Sequence, residues 1–227
     1  MKTNDLPYCF LIFFMLFFQS CDDPLENNRR IIVTGQFFDE DQNPIAEIPI
    51  RTEAQEIYLG EGTSDATGSF EYASLETYRN FDIVVNPPET QNSIYSSVIY
   101  SSQYNNSMRE NIDRYDLGIV TLRRTAKLDF SIIKTTSASD TLRWTISFPQ
   151  ASCSYSFTQK VSNAEIFTCY EEDFLGGSQT PARPDLDTEI TSLLGQEAVF
   201  TYSINSSAEE RLIIPLNSPN NTFDFEY

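Results

Sequence analysis

The chain has 227 residues, with 33 Asp and Glu against 15 Lys and Arg, a net charge of −18, and no histidine. A surface this acidic repels phosphate backbones, which excludes nucleic acid as a partner. The missing imidazole excludes Ser-His-Asp and Cys-His catalysis and histidine-ligated zinc, while 40% hydrophobic and 13% aromatic residues are enough to build one large core or two small ones.

In chain order, residues 1–20 stand apart from the fold. Lys2 precedes an apolar run from Tyr8 to Phe18, too short to span a bilayer comfortably and of signal-peptide length. It ends in Gln19-Ser20-Cys21. A small residue followed by cysteine after an apolar run resembles a bacterial lipoprotein signal, with Phe18 and Gln19 departing from the usual leucine and small residue. The resemblance implies that Cys21 is acylated and becomes the mature N-terminus. Several acyl chains, at ~0.8 kcal/mol per buried methylene, hold a protein stably on a membrane. Asp22 and Asp23 follow at once. Acidic residues at this place resemble the export signal of surface-exposed Bacteroidota lipoproteins; the plainer reading is a solvated acidic linker. Residues 21–30 read as an acidic tether that could reach roughly 30 Å if extended.

From Val33 the pattern becomes that of strands. Val33, Gly35 and Phe37 alternate with Thr34, Gln36 and Phe38, which turns one face inward. Pro44 forces a turn after the polar run Asp39 to Asn43, and Ile45, Ile48 and Ile50 open the next buried face. Thr63 to Phe70 reads as a tight hairpin, with Asp65 bonding the turn amides and Gly68 left-handed. Phe70 and Tyr72 then restart the alternation. Asp39, Asp41 and Asn43 mimic the first ligands of a calcium loop, but Pro44 holds its glycine position and Ile50 its bidentate glutamate position, so a plain turn is the reading.

Val33, Gly35, Phe37, Asp39, Pro44, Ile45, Asp65, Gly68 and Phe70 fall on a pattern similar to the carboxypeptidase regulatory-like domain, with Asp116 to Leu122 as its closing strand. Glu47-Ile48 departs from the usual small pair after the proline, and Ser64 from the commoner threonine. The resemblance covers residues 31–122 and implies a transthyretin-like, seven-stranded β-sandwich. It says nothing of function, because the module is a structural addition in many proteins.

Phe81, Ile83 and Val85 give a further strand that Asn86-Pro87-Pro88 ends. Residues 92–107 are low in complexity, with Tyr95, Tyr100 and Tyr104 among serines and asparagines. Such composition suits a partner-binding loop; it also suits an edge strand and a loose loop with Tyr95 and Tyr100 partly buried. A second domain over residues 123–227 is expected, because alternation resumes at Leu128, Phe130 and Ile132 and recurs through Phe225. About seven short strands with polar joints again read as a sandwich. Glu171 to Leu186 reads as irregular, and residues 187–195 as a short helix capped by Asp187 and stopped by Gly195. Trp144 could be a sugar-stacking platform, but Leu142 and Ile146 beside it indicate a core position. Asp140-Thr141-Leu142 resembles the short O-glycosylation motif of Bacteroidota, which makes Thr141 a candidate acceptor.

Cys9 leaves with the signal and Cys21 is acylated, so Cys153 and Cys169 remain in an oxidising compartment. A hairpin centred on Val161 sets Cys153 opposite Cys169 and Tyr155 opposite Phe167, which predicts a disulfide. The expected class is therefore all-β: an N-terminal transthyretin-like sandwich followed by a second sandwich. The expected function is that of a surface-exposed outer-membrane lipoprotein, a non-enzymatic accessory subunit without cofactor or metal. Its partner would be an integral outer-membrane barrel protein or other surface lipoproteins, within a TonB-dependent importer, a secretion translocon or the barrel-assembly machinery. The alternative is a stand-alone glycan-binding surface lipoprotein. A fimbrial subunit completed by a neighbour's strand is disfavoured by the full strand set of the first domain.

Overall fold

The computed structural model describes residues 25–77, 79–88, 94–103, 112–136, 139–158 and 161–227. Cys21, Asp22, Asp23 and Tyr104 lie outside these residues. The protein is all-β, with strands in four sheets around two cores.

The first core lies between two layers. One is the sheet β4 (Ser69–Thr77), β1 (Leu25–Phe38) and β7 (Arg114–Thr121), in that order. The other contains β6 (Ser97–Ser102), β5 (Asp82–Val85), β2 (Pro49–Ala54) and β3 (Ile57–Thr63). The alternation read in the sequence sends Ile31, Val33, Phe37, Ile50, Ile83 and Phe70 inward. Gly35 is opposite Phe70 in the β1–β4 ladder. A Cβ there would sit 2.7 Å from the Phe70 ring, so the missing side chain is what lets that ring stack on Phe37 at 4.6 Å. β1 already pairs with β4 at Leu25, which leaves three residues, not nine, between Cys21 and the first strand.

The polar turns are held as their sequences suggest. The Asp39 carboxylate accepts from the Asp41 and Asn43 amides at 3.0 and 2.8 Å and from Asn43 Nδ2, so the calcium-like pattern is consumed by its own loop. These Asn43 donors hold the Asp39 carboxyl below its ordinary pKa. Asp65 accepts from the Thr67 and Ser69 amides at 2.8 and 3.0 Å, and Gly68 takes a φ of +76°.

The second core is enclosed by the order β12 (Glu172–Gln179), β9 (Leu142–Pro149), β14 (Glu197–Ile204), β15 (Glu210–Pro215) and by β13 (Leu186–Leu193), β8 (Thr125–Ile133), β16 (Asn220–Glu226). Phe200 is fully buried among Phe130, Tyr202 and Phe225, with ring centroids 4.9 to 5.4 Å away. Trp144 belongs to this core at 8% exposure, and its indole N–H has no hydrogen-bond partner among the described residues, which fits the core position that Leu142 and Ile146 indicate.

Four features differ from the sequence reading. First, residues 187–195 are not helical. β13 pairs with β8 over its whole length, and the β-branched Thr188, Ile190 and Thr191 suit a strand better than a helix. Second, the stretch after Glu171 is strand β12. Gly176 and Gly177 are close-approach positions, since a Cβ at Gly176 would lie 3.1 Å from the Trp144 carbonyl and one at Gly177 3.4 Å from its ring. Third, β10 (Ser152–Phe157) and β11 (Glu165–Cys169) leave the second half and extend the first sandwich, giving the order β11-β10-β6-β5-β2-β3. Sheet membership therefore does not follow a division at residues 122 and 123. Fourth, β6 is flanked on both sides, by β5 and by a parallel β10, so it is no edge. Tyr95 and Tyr100 are buried, at 9% and 7% exposure, so they do not sit on an exposed loop.

Gly68 and Gly118 separate two costs of replacing glycine. Both have positive φ, but a Cβ at Gly68 would lie 2.4 Å from the Phe37 carbonyl, whereas nothing lies within 4 Å at Gly118. Gly118→Ala is expected to cost roughly 1 kcal/mol, the left-handed penalty alone, and Gly68→Ala at least twice that. Urea unfolding midpoints at unchanged slope would measure both; equal costs would show that the close approach at Gly68 is not constraining.

Candidate functional site

The wide layer of the first sandwich has six strands and the narrow layer three, with β7 at its edge. β10 and β11 extend the wide layer beyond β6. A cleft of about 310 Å³ lies between residues 119–121 of β7 on one side and β6 and β10 on the other. Tyr100 projects into it from β6. Tyr155, its parallel neighbour on β10, stacks on it at 4.9 Å with 13° between the rings. Tyr170 closes one end. It follows β11 directly, with a φ of +54°, a conformation that non-glycine residues hold only when their surroundings impose it. Here its amide donates to the Ser152 carbonyl at 2.9 Å and Arg123 packs over its ring, 5.2 Å from the centroid. Arg123 Nε also donates to Glu40 Oε1 at 2.8 Å, so the charge at this end is neutralised in place.

The three hydroxyls are weakly engaged. Tyr170 and Ser96 oxygens are 3.3 Å apart. The Tyr155 oxygen lies 3.7 Å from Cys153 Sγ, a disulfide sulfur with no hydrogen to donate. The Tyr100 hydroxyl makes no hydrogen bond among the described residues. Burial pushes its pKa up, and the nearby Tyr155 and Tyr170 phenols add to that shift.

Cys153 and Cys169 are joined in a disulfide with Cα atoms 4.0 Å apart, on a directly opposed β10–β11 pair. The ladder then slips by one residue, so Tyr155 faces Ile166 and not Phe167 as expected. The slip leaves Ile166 and Phe167 both in water, at 66% and 75% exposure. Phe174 on β12 is 69% exposed. Among the described residues β11 and β12 are each the edge of their sheets, so residues 166–175 carry exposed apolar side chains on two successive edge strands; the Phe174 amide donates to Asp173 Oδ1 at 2.8 Å.

Of the residues singled out from sequence, Tyr100 is in the cleft and Cys153–Cys169 forms its side. Tyr95 is apart, in a bridge with Arg124. Thr141 is exposed at the start of β9, its hydroxyl 3.4 Å from Asn205 Oδ1. The sequence reading names Tyr155 and Phe167 only as the pair expected beside the disulfide, and does not reach Tyr170, Arg123, Glu40 or Phe174. The predicted hairpin carried a signal for two of them, because Tyr155 lies two residues from Cys153 on the same face and Tyr170 adjoins Cys169.

No family model and no curated protein matches the chain, so the likeness of residues 31–122 to the carboxypeptidase regulatory-like domain has no family match behind it. Among solved structures the chain is similar to the TIE protein of Bacillus anthracis, at 10% identity and a TM-score of 0.31, covering 88% of this chain and 34% of that one. It is also similar to a tip fimbrial protein of Porphyromonas gingivalis, at 10% identity and 0.27, covering 82% and 81%. A shaft pilin of Lactobacillus rhamnosus GG is similar at 9% identity and 0.26, covering 88% and 98%. The chain thus spans about a third of the Bacillus protein. At these TM-scores the likenesses carry no argument about what the chain does.

Two measurements follow from the site. The disulfide spans a sequence separation of 16, for which loop-closure entropy gives about 3 kcal/mol. The Cys153→Ser, Cys169→Ser double variant should lose about that much in denaturant unfolding, and the wild type should fall to the same value in reductant. The second concerns alkaline pH. Folding raises the pKa values of Tyr100 and Tyr72, so above about pH 10 the unfolded chain releases protons that the folded one retains. Stability is then full below that pH and falls as pH rises through it. Tyr100→Phe should flatten the decline in melting temperature; an unchanged slope would show that the Tyr100 hydroxyl is well solvated.

Proposed function

We propose that the chain is a lipid-anchored, outward-facing interaction protein that binds a partner and carries out no chemistry, serving as an accessory subunit of an outer-membrane complex. The observation that carries this reading is the exposed apolar stretch 166–175. Single exposed hydrophobic residues are ordinary. Ile166, Phe167 and Phe174 instead fall within ten residues, on two strands that are sheet edges among the described residues. Edge strands left apolar are hazards unless something covers them, and large apolar side chains are where interfaces concentrate binding energy.

The occupant is a different protein, not a second copy. Glu165, Glu171 and Glu172 are exposed beside these side chains, on a chain of net charge −18. Two such surfaces repel one another, whereas a partner with basic residues around its contact is attracted. The anchor rests on the apolar run that ends at Ser20-Cys21, and outward placement on Asp22 and Asp23 after it.

Labelling cells with a radioactive fatty acid should mark the wild type and not Cys21→Ala, and protease added to intact cells should remove the protein. Phe167→Ser and Phe174→Ser, combined, should abolish co-purification of an outer-membrane protein from mild detergent while leaving the melting temperature unchanged. Full retention of every co-purifying protein would overturn the assignment of this edge, and protection from protease until lysis would overturn outward placement.

A further inference from the structure

The tyrosine cleft shares Tyr170 with the stretch 166–175 but is not lined by Ile166, Phe167 or Phe174, and its chemistry selects a small ligand. We infer that the cleft between β7 and the β6–β10 pair binds a single neutral sugar ring, taken end-on, with Tyr100, Tyr155 and Tyr170 as its walls and the Arg123–Glu40 pair at its end.

Charge narrows the ligand first. Arg123 is the cationic group lining the cleft and it is already paired with Glu40 at 2.8 Å. An anion would have to displace that carboxylate and approach a chain of net charge −18. A cation would have to take Glu40 from Arg123. Neither gains a net opposite charge, so the ligand is neutral. Polarity narrows it next. A wholly apolar ligand would cover the Tyr100 hydroxyl, which has no partner among the described residues, and leave it unsatisfied, which costs more than the contact returns. The loose Tyr170–Ser96 and Tyr155–Cys153 contacts, at 3.3 and 3.7 Å, likewise leave hydroxyls able to turn to a better partner.

A sugar ring matches both demands. Its C–H faces pack against aromatic rings, and its hydroxyls can accept from and donate to phenols, a guanidinium and a carboxylate. Size sets the last limit. About 310 Å³ is at the small end of ligand pockets, roughly 300–1,000 Å³, so one ring fits and a chain does not lie along it. The walls are also preorganised: the disulfide fixes β11 to β10, Tyr170 is held left-handed, and Tyr155 is stacked on Tyr100. A rigid site keeps the ordering cost of binding low.

The test uses the detergent-solubilised full chain and ligand-observed NMR. The probes are galactose, glucose, mannose and N-acetylglucosamine, with sialic acid and glucosamine as anionic and cationic controls. At least one neutral sugar should bind with a dissociation constant on the order of 1 mM, as expected of so small a ligand. Tyr100→Phe removes one hydroxyl without opening the core and should weaken binding about 3- to 10-fold. Tyr155→Ala should weaken it further. The Phe167→Ser, Phe174→Ser double variant should bind the sugar as the wild type does, which separates this site from the protein-binding edge. The inference is overturned if no neutral sugar binds, if a charged control binds as well, if Tyr100→Phe binds unchanged at an unchanged melting temperature, or if the double variant loses the sugar.

Discussion

One parallel pairing governs the layout of the second half of the chain. Ser152 to Phe157 aligns with Ser97 to Ser102 in unbroken register, more than fifty residues after β6 was laid down. It draws the segment after β9 back to the first sandwich and then releases it to form β12. The first sandwich is widened to six strands on one side, and the chain makes its two cores by leaving one, returning to it and leaving again. Ordering such distant partners carries a larger loop-closure cost than joining adjacent strands, so the pairing must be supported elsewhere. The support is a local hairpin stapled by Cys153–Cys169 and an aromatic group in which Phe157 meets Phe81 and Tyr115 edge-on at 5.9 Å.

The same pairing makes both candidate surfaces. Widening one layer without the other produces an overhang, and the overhang is the roof of the tyrosine cleft. The one-residue slip that follows the disulfide turns Ile166 and Phe167 outward together. A regular ladder would have sent successive side chains to opposite faces. Both candidate surfaces are by-products of mismatch: unequal layers in one place, unequal register in the other.

How much of this could be read beforehand depended on the range of the interaction. Alternation over Val33, Phe37 and Phe70, the Asp65–Gly68 turn and the Cys153–Cys169 hairpin are local, and local rules of period and turn chemistry reached them. The strands over residues 172–179 and 186–193 were misread for a physical reason. Paired glycines usually mark a loop, but here they make room for Trp144, and the stretch from Asp187 to Gly195 carries helix-like end signals while its β-branched side chains follow the demand of β8 for a neighbour on each side. Composition leaves Tyr100 either in a partner-binding loop or partly buried on an edge strand, since nothing near it in sequence announces that β10 will arrive alongside. Tyr155, Tyr170 and Arg123 come together only through that arrival, so no local pattern could have joined them into one site.

The early start of β1 alters what a lipid on Cys21 would mean. Only Asp22, Asp23 and Pro24 separate that cysteine from the first rung at Leu25, a span of roughly 14 Å at full stretch. The headgroup layer alone takes up about half of such a length. A protein acylated at Cys21 would be held close to the membrane surface and could not sweep the space above the cell. Encounters then happen in two dimensions, at effective concentrations far above those of free solution. With a lipid on Cys21, confinement would supply part of any association, so the small apolar edge at residues 166–175 would not need to be large.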